Sequence, residues 1–97
     1  MNNHQPAVYI LANKRNGTLY TGVTSNLIQR VYQQNYAEVS SFAKKYNCKL
    51  LVYYELVENM QSAILREKQI KAGSRNKKLR LIECNNPGWL DLYNSLI

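Results

Sequence analysis

The chain has 97 residues, 45% of them hydrophobic, which suits one independently folding domain. Thirteen Lys and Arg against six Asp and Glu leave a formal charge of +7, a field that concentrates polyanions near the surface. No run approaches the roughly 18 consecutive apolar residues of a spanning helix, and one His with two scattered Cys does not suit a tetrahedral zinc site.

Met1 to Pro6 are polar and lack the basic start and apolar run of a secretory signal. They read as a disordered leader holding the lone His4, ahead of a single domain over 7–97, and a cytoplasmic location is expected. Val8-Tyr9-Ile10-Leu11-Ala12 reads as a strand, Asn16-Gly17 as a turn signal, and Thr18 to Val23 as the returning strand. A four-residue turn over 13–16 would pair Ala12 with Gly17 and set Tyr9 directly opposite Tyr20. Thr24, Ser25 and Asn26 offer caps for a helix to about Tyr36, and Ser41 to Tyr46 reads as a further helical piece. Lys49 to Glu55 is a third strand, apolar enough to be central. Asn59 or Gln61 opens a helix to about Ala72, closed by Gly73. Arg75 to Glu83 reads as a basic helix, Asn85-Asn86-Pro87-Gly88 as a break, and Trp89 to Leu96 as a last short helix. The order ββαβααα on a small three-stranded antiparallel sheet is an α+β fold.

The cations are unevenly placed. Between 44 and 80 stand Lys44, Lys45, Lys49, Arg66, Lys68, Lys71, Arg75, Lys77, Lys78 and Arg80, opposed there only by Glu55, Glu58 and Glu67. Phosphate contacts supply most non-specific nucleic-acid affinity, but on charge alone a solubility role stands level with that reading. A membrane surface fits less well, because the basic stretch lacks an aromatic apolar face. Cys48 and Cys84 read as ordinary reduced thiols.

Three placements carry chemistry. At about 100° per residue, Glu67 falls among Met60, Ala63, Ile64 and Ile70, while Arg66 and Lys68 point away from that stripe. An inward carboxylate implies a cation: an Arg, a Lys such as Lys71, or a metal. Helical geometry leaves the ion pair and the metal even. Tyr9 and Tyr20 would share a sheet face, where two tyrosines are most often packing. Arg30 and Gln34 border the core stripe of their helix one turn apart, and an Arg can lie there simply with its stem over apolar surface.

Taken in order, seven segments resemble the GIY-YIG nuclease superfamily. Val8-Tyr9-Ile10 and Leu19-Tyr20-Thr21-Gly22 stand for the two name-giving elements, and Gly22 to Arg30 is similar to the family's passage from second strand to helix arginine. Ser41 to Asn47, Leu50 to Glu55, Ala63 to Lys71 and Asn86-Pro87-Gly88-Trp89 look like the small stand-alone bacterial members grouped as UPF0213. The resemblance covers about 7–93. It implies catalytic positions for Tyr9, Tyr20, Arg30 and Glu67, with Glu67 as metal ligand, Mg²⁺ or Mn²⁺ as cofactor, and supporting roles for Gln34 and Asn86. It further implies divalent-metal-dependent hydrolysis of nucleic-acid phosphodiesters, with DNA as substrate and an endonuclease role linked to repair or recombination. Lys44, Lys45, Lys68, Lys71, Arg75, Lys77 and Lys78 become candidate nucleic-acid contacts, and a protein partner could supply the specificity a chain this short does not carry. The family pattern departs at Gln34, where many relatives have His or Tyr; an amide orients water but is no useful proton acceptor near neutral pH. A catalytically weak binding module with the same fold is the alternative.

Overall fold

A computed structural model of the chain describes residues 5–36 and 45–97. The elements run β1 Ala7–Ala12, β2 Leu19–Thr24, α1 Leu27–Tyr36, β3 Leu50–Leu56, α2 Met60–Ala72, α3 Arg75–Asn85 and α4 Tyr93–Leu96, the expected ββαβααα order. The three strands form one antiparallel sheet, β2-β1-β3. Most of the helical piece expected over 41–46, and Lys44 with it, lies outside the described residues.

Strand β1 is central because it has no polar face. All six of its residues are buried, Val8, Ile10 and Ala12 on one side and Ala7, Tyr9 and Leu11 on the other. This corrects the expectation of a central third strand: β3 ends in partly exposed residues and forms an edge. A bulge opposite Ile10 and Leu11 turns both Val52 and Tyr53 into the cluster beneath α2 and α3. The second core, under α1, gathers Tyr9, Leu11, Leu27, Val31, Cys48 and Leu51.

The start and end of the domain differ from expectation. Gln5 and Pro6, assigned above to a leader, are tied to the sheet. The Gln5 N–H donates to the Ser25 carbonyl at 2.7 Å, and the Val57 N–H donates to the Pro6 carbonyl at 2.9 Å. The last helix does not begin at Trp89, whose φ of 55° is left-handed and incompatible with an α-helical turn. Trp89 instead buries its ring and donates from Nε1 to Glu83 at 3.0 Å, and helix resumes only at Tyr93.

Helix α2 is fixed against the sheet at two levels. Asn59 caps it, accepting from the Ser62 N–H at 2.8 Å, and Ala63 and Ile70 carry its buried line. That line is displaced from the expected stripe, because Ile64 is 40% exposed. The displacement brings Arg66 inward, where Nε and Nη2 both donate to the Glu55 carboxylate at 2.9 Å. The Tyr53 hydroxyl donates to the same carboxylate. Burial alone would raise the Glu55 carboxyl, but the hydrogen bonds from Arg66 and Tyr53 outweigh it and hold it below the ordinary 4.5. The Tyr53 phenol is pushed up to about 12, by burial first and then by its bond to Glu55.

Arg66→Met should therefore lower stability at neutral pH by about 1 kcal/mol, the scale of a partly solvated ion pair. A depressed carboxyl contributes stability above its unfolded value, 4.5, and loses it as pH falls through the folded value. Thermal unfolding of the two proteins should thus converge on acidification. A difference that persists in strong acid would assign the loss to packing instead.

Candidate active site at the edge strand

The hairpin decides where the tyrosines go. Ala12 pairs with Leu19, Leu11 with Tyr20 and Tyr9 with Gly22, so the turn spans six residues rather than four and Tyr9 does not face Tyr20 directly. Asn13 lengthens it: its N–H donates to the Thr18 carbonyl at 3.2 Å, and its Oδ1 accepts from the Thr18 N–H at 2.8 Å. Asn16 supplies the left-handed step with φ 57°. The register has slipped by two residues, an even number, and an even slip keeps every side chain on its face. Tyr9 and Tyr20 accordingly remain on one side as diagonal neighbours, ring centroids 6.3 Å apart and tilted by 49°, a favourable aromatic geometry.

Gly22 makes that contact possible. A Cβ at this position would meet Cζ and the hydroxyl of Tyr9 at 2.5 Å and Cε2 of Tyr20 at 3.0 Å. The glycine of the second motif is therefore a notch in which the Tyr9 phenol lies, leaving Tyr9 with 0% exposure and Tyr20 half-buried above it.

Directly after β2, Asn26 caps α1 by accepting from the Gln29 N–H at 3.1 Å, and its own N–H donates to the Thr24 hydroxyl at 3.0 Å. Leu27 and Val31 point into the core under Tyr9. Arg30 stands one turn-edge away and half-buried, the border position read from the sequence. Gln34 lies in the same helix.

Glu67 comes from the opposite side of the sheet. Helix α2 covers the Val8–Ile10–Ala12 face, whereas the tyrosines and α1 occupy the other. The Glu67 carboxylate is 15% exposed and accepts from Lys71, 54% exposed, at 3.1 Å. The ion-pair alternative is thus present. An exposed, flexible ammonium is a partner that an incoming cation can displace at small cost.

Along the β2 edge Leu19, Tyr20, Thr21, Lys71 and Lys78 line an open cavity of about 320 Å³, which sets Tyr20 beside the partner of Glu67. The remaining candidates divide by use. Arg75 donates from Nη2 to the carbonyls of Asn16 and Gly17 at 2.8 and 2.7 Å, clamping the hairpin turn. Lys78 donates to the Gly73 carbonyl at 2.9 Å and closes the end of α2. Lys45, Lys68 and Lys77 are exposed, Lys45 over the Tyr46 ring. Asn86 is 5% exposed and its amide is engaged within the fold. Nδ2 donates to Val52 and Leu90 carbonyls at 3.1 and 2.9 Å, and Oδ1 accepts from the Leu90 N–H at 3.0 Å. It joins the end of α3 to β3 rather than standing at the β2 edge.

Among the described residues no group of three or more His, Cys, Asp and Glu could hold a metal. Glu67 offers a single carboxylate, a donor that fits a hard divalent ion keeping most of its waters better than it fits zinc.

Two strand tyrosines packed over a glycine, followed in the chain by a helix arginine and a later helix glutamate, are the pattern of a nuclease-type domain. The chain belongs to the GIY-YIG family: the GIY-YIG catalytic domain matches residues 5–80. It is similar to a UPF0213 protein of Staphylococcus haemolyticus, 38% identical over 76 residues that cover 78% of this chain and 92% of that protein. A UPF0213 protein of Staphylococcus saprophyticus is 36% identical over 75 residues, 77% of this chain and 90% of its own. One from Staphylococcus aureus strain N315 is 39% identical over 67 residues, 69% and 82% of the two chains. No solved structure matches. Nucleases of this family generally use divalent metals and act on nucleic acid. Among the described residues no helix is long and apolar enough to cross a membrane.

Gly22→Ala should displace Tyr9 and cost about 1–3 kcal/mol, the scale of an overpacked core, read as a lowered unfolding midpoint. Asn86→Ala leaves buried carbonyl and N–H groups without partners and should destabilise by about 2–3 kcal/mol, while the folded fraction keeps its affinity for divalent ions. A variant of normal stability with weakened metal binding would instead return Asn86 to the site.

Proposed function

We propose that this chain is a divalent-metal-dependent endonuclease that hydrolyses phosphodiester bonds of DNA at the β2 edge. The observations that support it most are the tyrosine pair seated on Gly22 and the cavity along β2 whose lining includes both Tyr20 and Lys71, the partner of Glu67. Glu67 would hold Mg²⁺ or Mn²⁺, whose charge supplies polarisation of the scissile phosphate. Arg30 presents a planar guanidinium to the non-bridging oxygens as negative charge gathers on them. Tyr20, half-exposed, orients the attacking water. Tyr9 has no exposed surface and acts as a positioning residue for Tyr20. The basic surface raises the local concentration of the polyanion, and specificity then rests on DNA shape or on a protein partner. Repair or recombination in the cytoplasm is the setting that such an activity suits.

A binding module without turnover is the second reading, favoured by the amide at Gln34 and by the Lys71 ammonium on Glu67. Purified protein with labelled single-stranded, duplex and branched DNA, in Mg²⁺, Mn²⁺ or EDTA, separates the two. Metal-dependent cleavage should fall about 10²–10³-fold in Glu67→Gln and in Tyr20→Phe, with a smaller loss in Tyr9→Phe. Gln34→His should raise the rate if the missing proton acceptor limits turnover. Salt-sensitive binding with no cleavage in any metal, in wild type and Gln34→His alike, would leave only the module.

A further inference from the structure

The cavity beside Tyr20 does not end there. It adjoins a larger open cleft of about 670 Å³, bounded by the β1–β2 turn and the start of α3, and the two share Leu19 and Lys78. The larger cleft is lined by Asn13, Asn16, Gly17 and Thr18 with Lys14, Arg75 and Lys78, and among the described residues no acidic one lines either part. Its cations are unusual in how they are held. Arg75 and Lys78 are fixed by main-chain carbonyls of the turn and of the α2 terminus, and among the described residues neither forms a salt bridge. A cation held by carbonyls loses side-chain freedom but keeps its full net charge, so an arriving anion is met with less ordering cost. Lys14 is exposed on the turn and faces the same cleft.

We propose that this cleft is a phosphate subsite, in which Lys14, Arg75 and Lys78 seat the backbone of one nucleic-acid strand that continues along β2 to Tyr20. The direction of the strand rests on the nuclease reading above; the subsite itself rests on the cleft. A cleft of about 670 Å³ is on the scale of a small-molecule pocket and suits the backbone of one strand. Polar turn groups and cations, with no aromatic side chain among the described residues that line it, suit phosphate and sugar rather than stacked bases. The inference also separates the cations by role: Lys14 enters the contact set although it lies outside the basic 44–80 stretch, whereas Arg80, on the same helix as Arg75, lines a different cavity and stays out of it.

The test is binding, read in EDTA so that cleavage plays no part. Fluorescence anisotropy of labelled single-stranded DNA, single-stranded RNA and duplex DNA is followed over a salt series for wild type, Lys14→Gln and Arg80→Gln. Both variants lose one positive charge. Lys14→Gln should weaken single-strand binding several-fold and make the slope of log affinity against log salt shallower by about 0.7, one phosphate contact on a single strand. Arg80→Gln should leave that slope unchanged. The DNA and RNA arms identify the strand, since the subsite belongs to whichever shows the Lys14-dependent slope. Equal losses in the two variants, an unchanged slope in Lys14→Gln, or dependence on Lys14 with duplex alone would overturn the proposal. Cleavage lost everywhere with the Lys14 effect intact would sink the nuclease reading and not this one.

Discussion

The site depends on the packing of a phenol over a glycine. Tyr9 lies on Gly22 because the hairpin pairs those two residues, and Tyr20 finds its tilt against the ring so placed. Any side chain at 22 would occupy the volume of the Tyr9 ring, and any odd change of register would send one tyrosine to the far face of the sheet. The family's paired motifs are, in this chain, one contact written twice: the tyrosine of the first strand and the glycine of the second fit each other, and the tyrosine of the second covers the join. The six-residue turn, with Asn13 bonded across it and Asn16 left-handed, holds that register.

Helix α2 carries the other half. It crosses the opposite face of the sheet on Ala63 and Ile70, and consecutive residues on either side of that line do different work. Arg66 turns toward β3 and closes on Glu55 and Tyr53, anchoring the helix. Glu67 meets Lys71, a flexible side chain on the same helix rather than on a second element. The Arg66–Glu55 pair ties the helix to β3, while the Glu67 carboxylate meets a local, largely exposed partner.

The positive charge of the chain is not a uniform coat. Arg75 and Lys78 first serve the fold, tying the hairpin turn to α3 and ending α2. Because carbonyls rather than carboxylates hold them, their charge remains for an anion. The proposed binding role would thus fall on side chains that already serve the fold, and the elements they join — turn, α2 and α3 — bound the cleft that adjoins the cavity at Tyr20.

Periodicity and turn chemistry in the sequence determined the element order and the α+β class and narrowed the helix caps to a few candidates, from which the structure takes Asn26 and Asn59, because these are set by residues within a few positions of each other. The motif series, read together, also determined the family. Tertiary structure decided what local pattern does not encode. The hairpin register moved by two, since Asn13 lengthens the turn through its side chain; β1 took the centre, since only it is buried on both faces; and Trp89 adopted a left-handed backbone, which delayed the last helix. The inward position of Arg66 came from Glu55 on a distant strand, a partner invisible on a helical wheel, and Asn86 was drawn into the core by carbonyls of β3 and the following turn. Whether a polar side chain is site or scaffold depends on which groups the rest of the chain brings to it, and that is fixed only when the sheet and helices close.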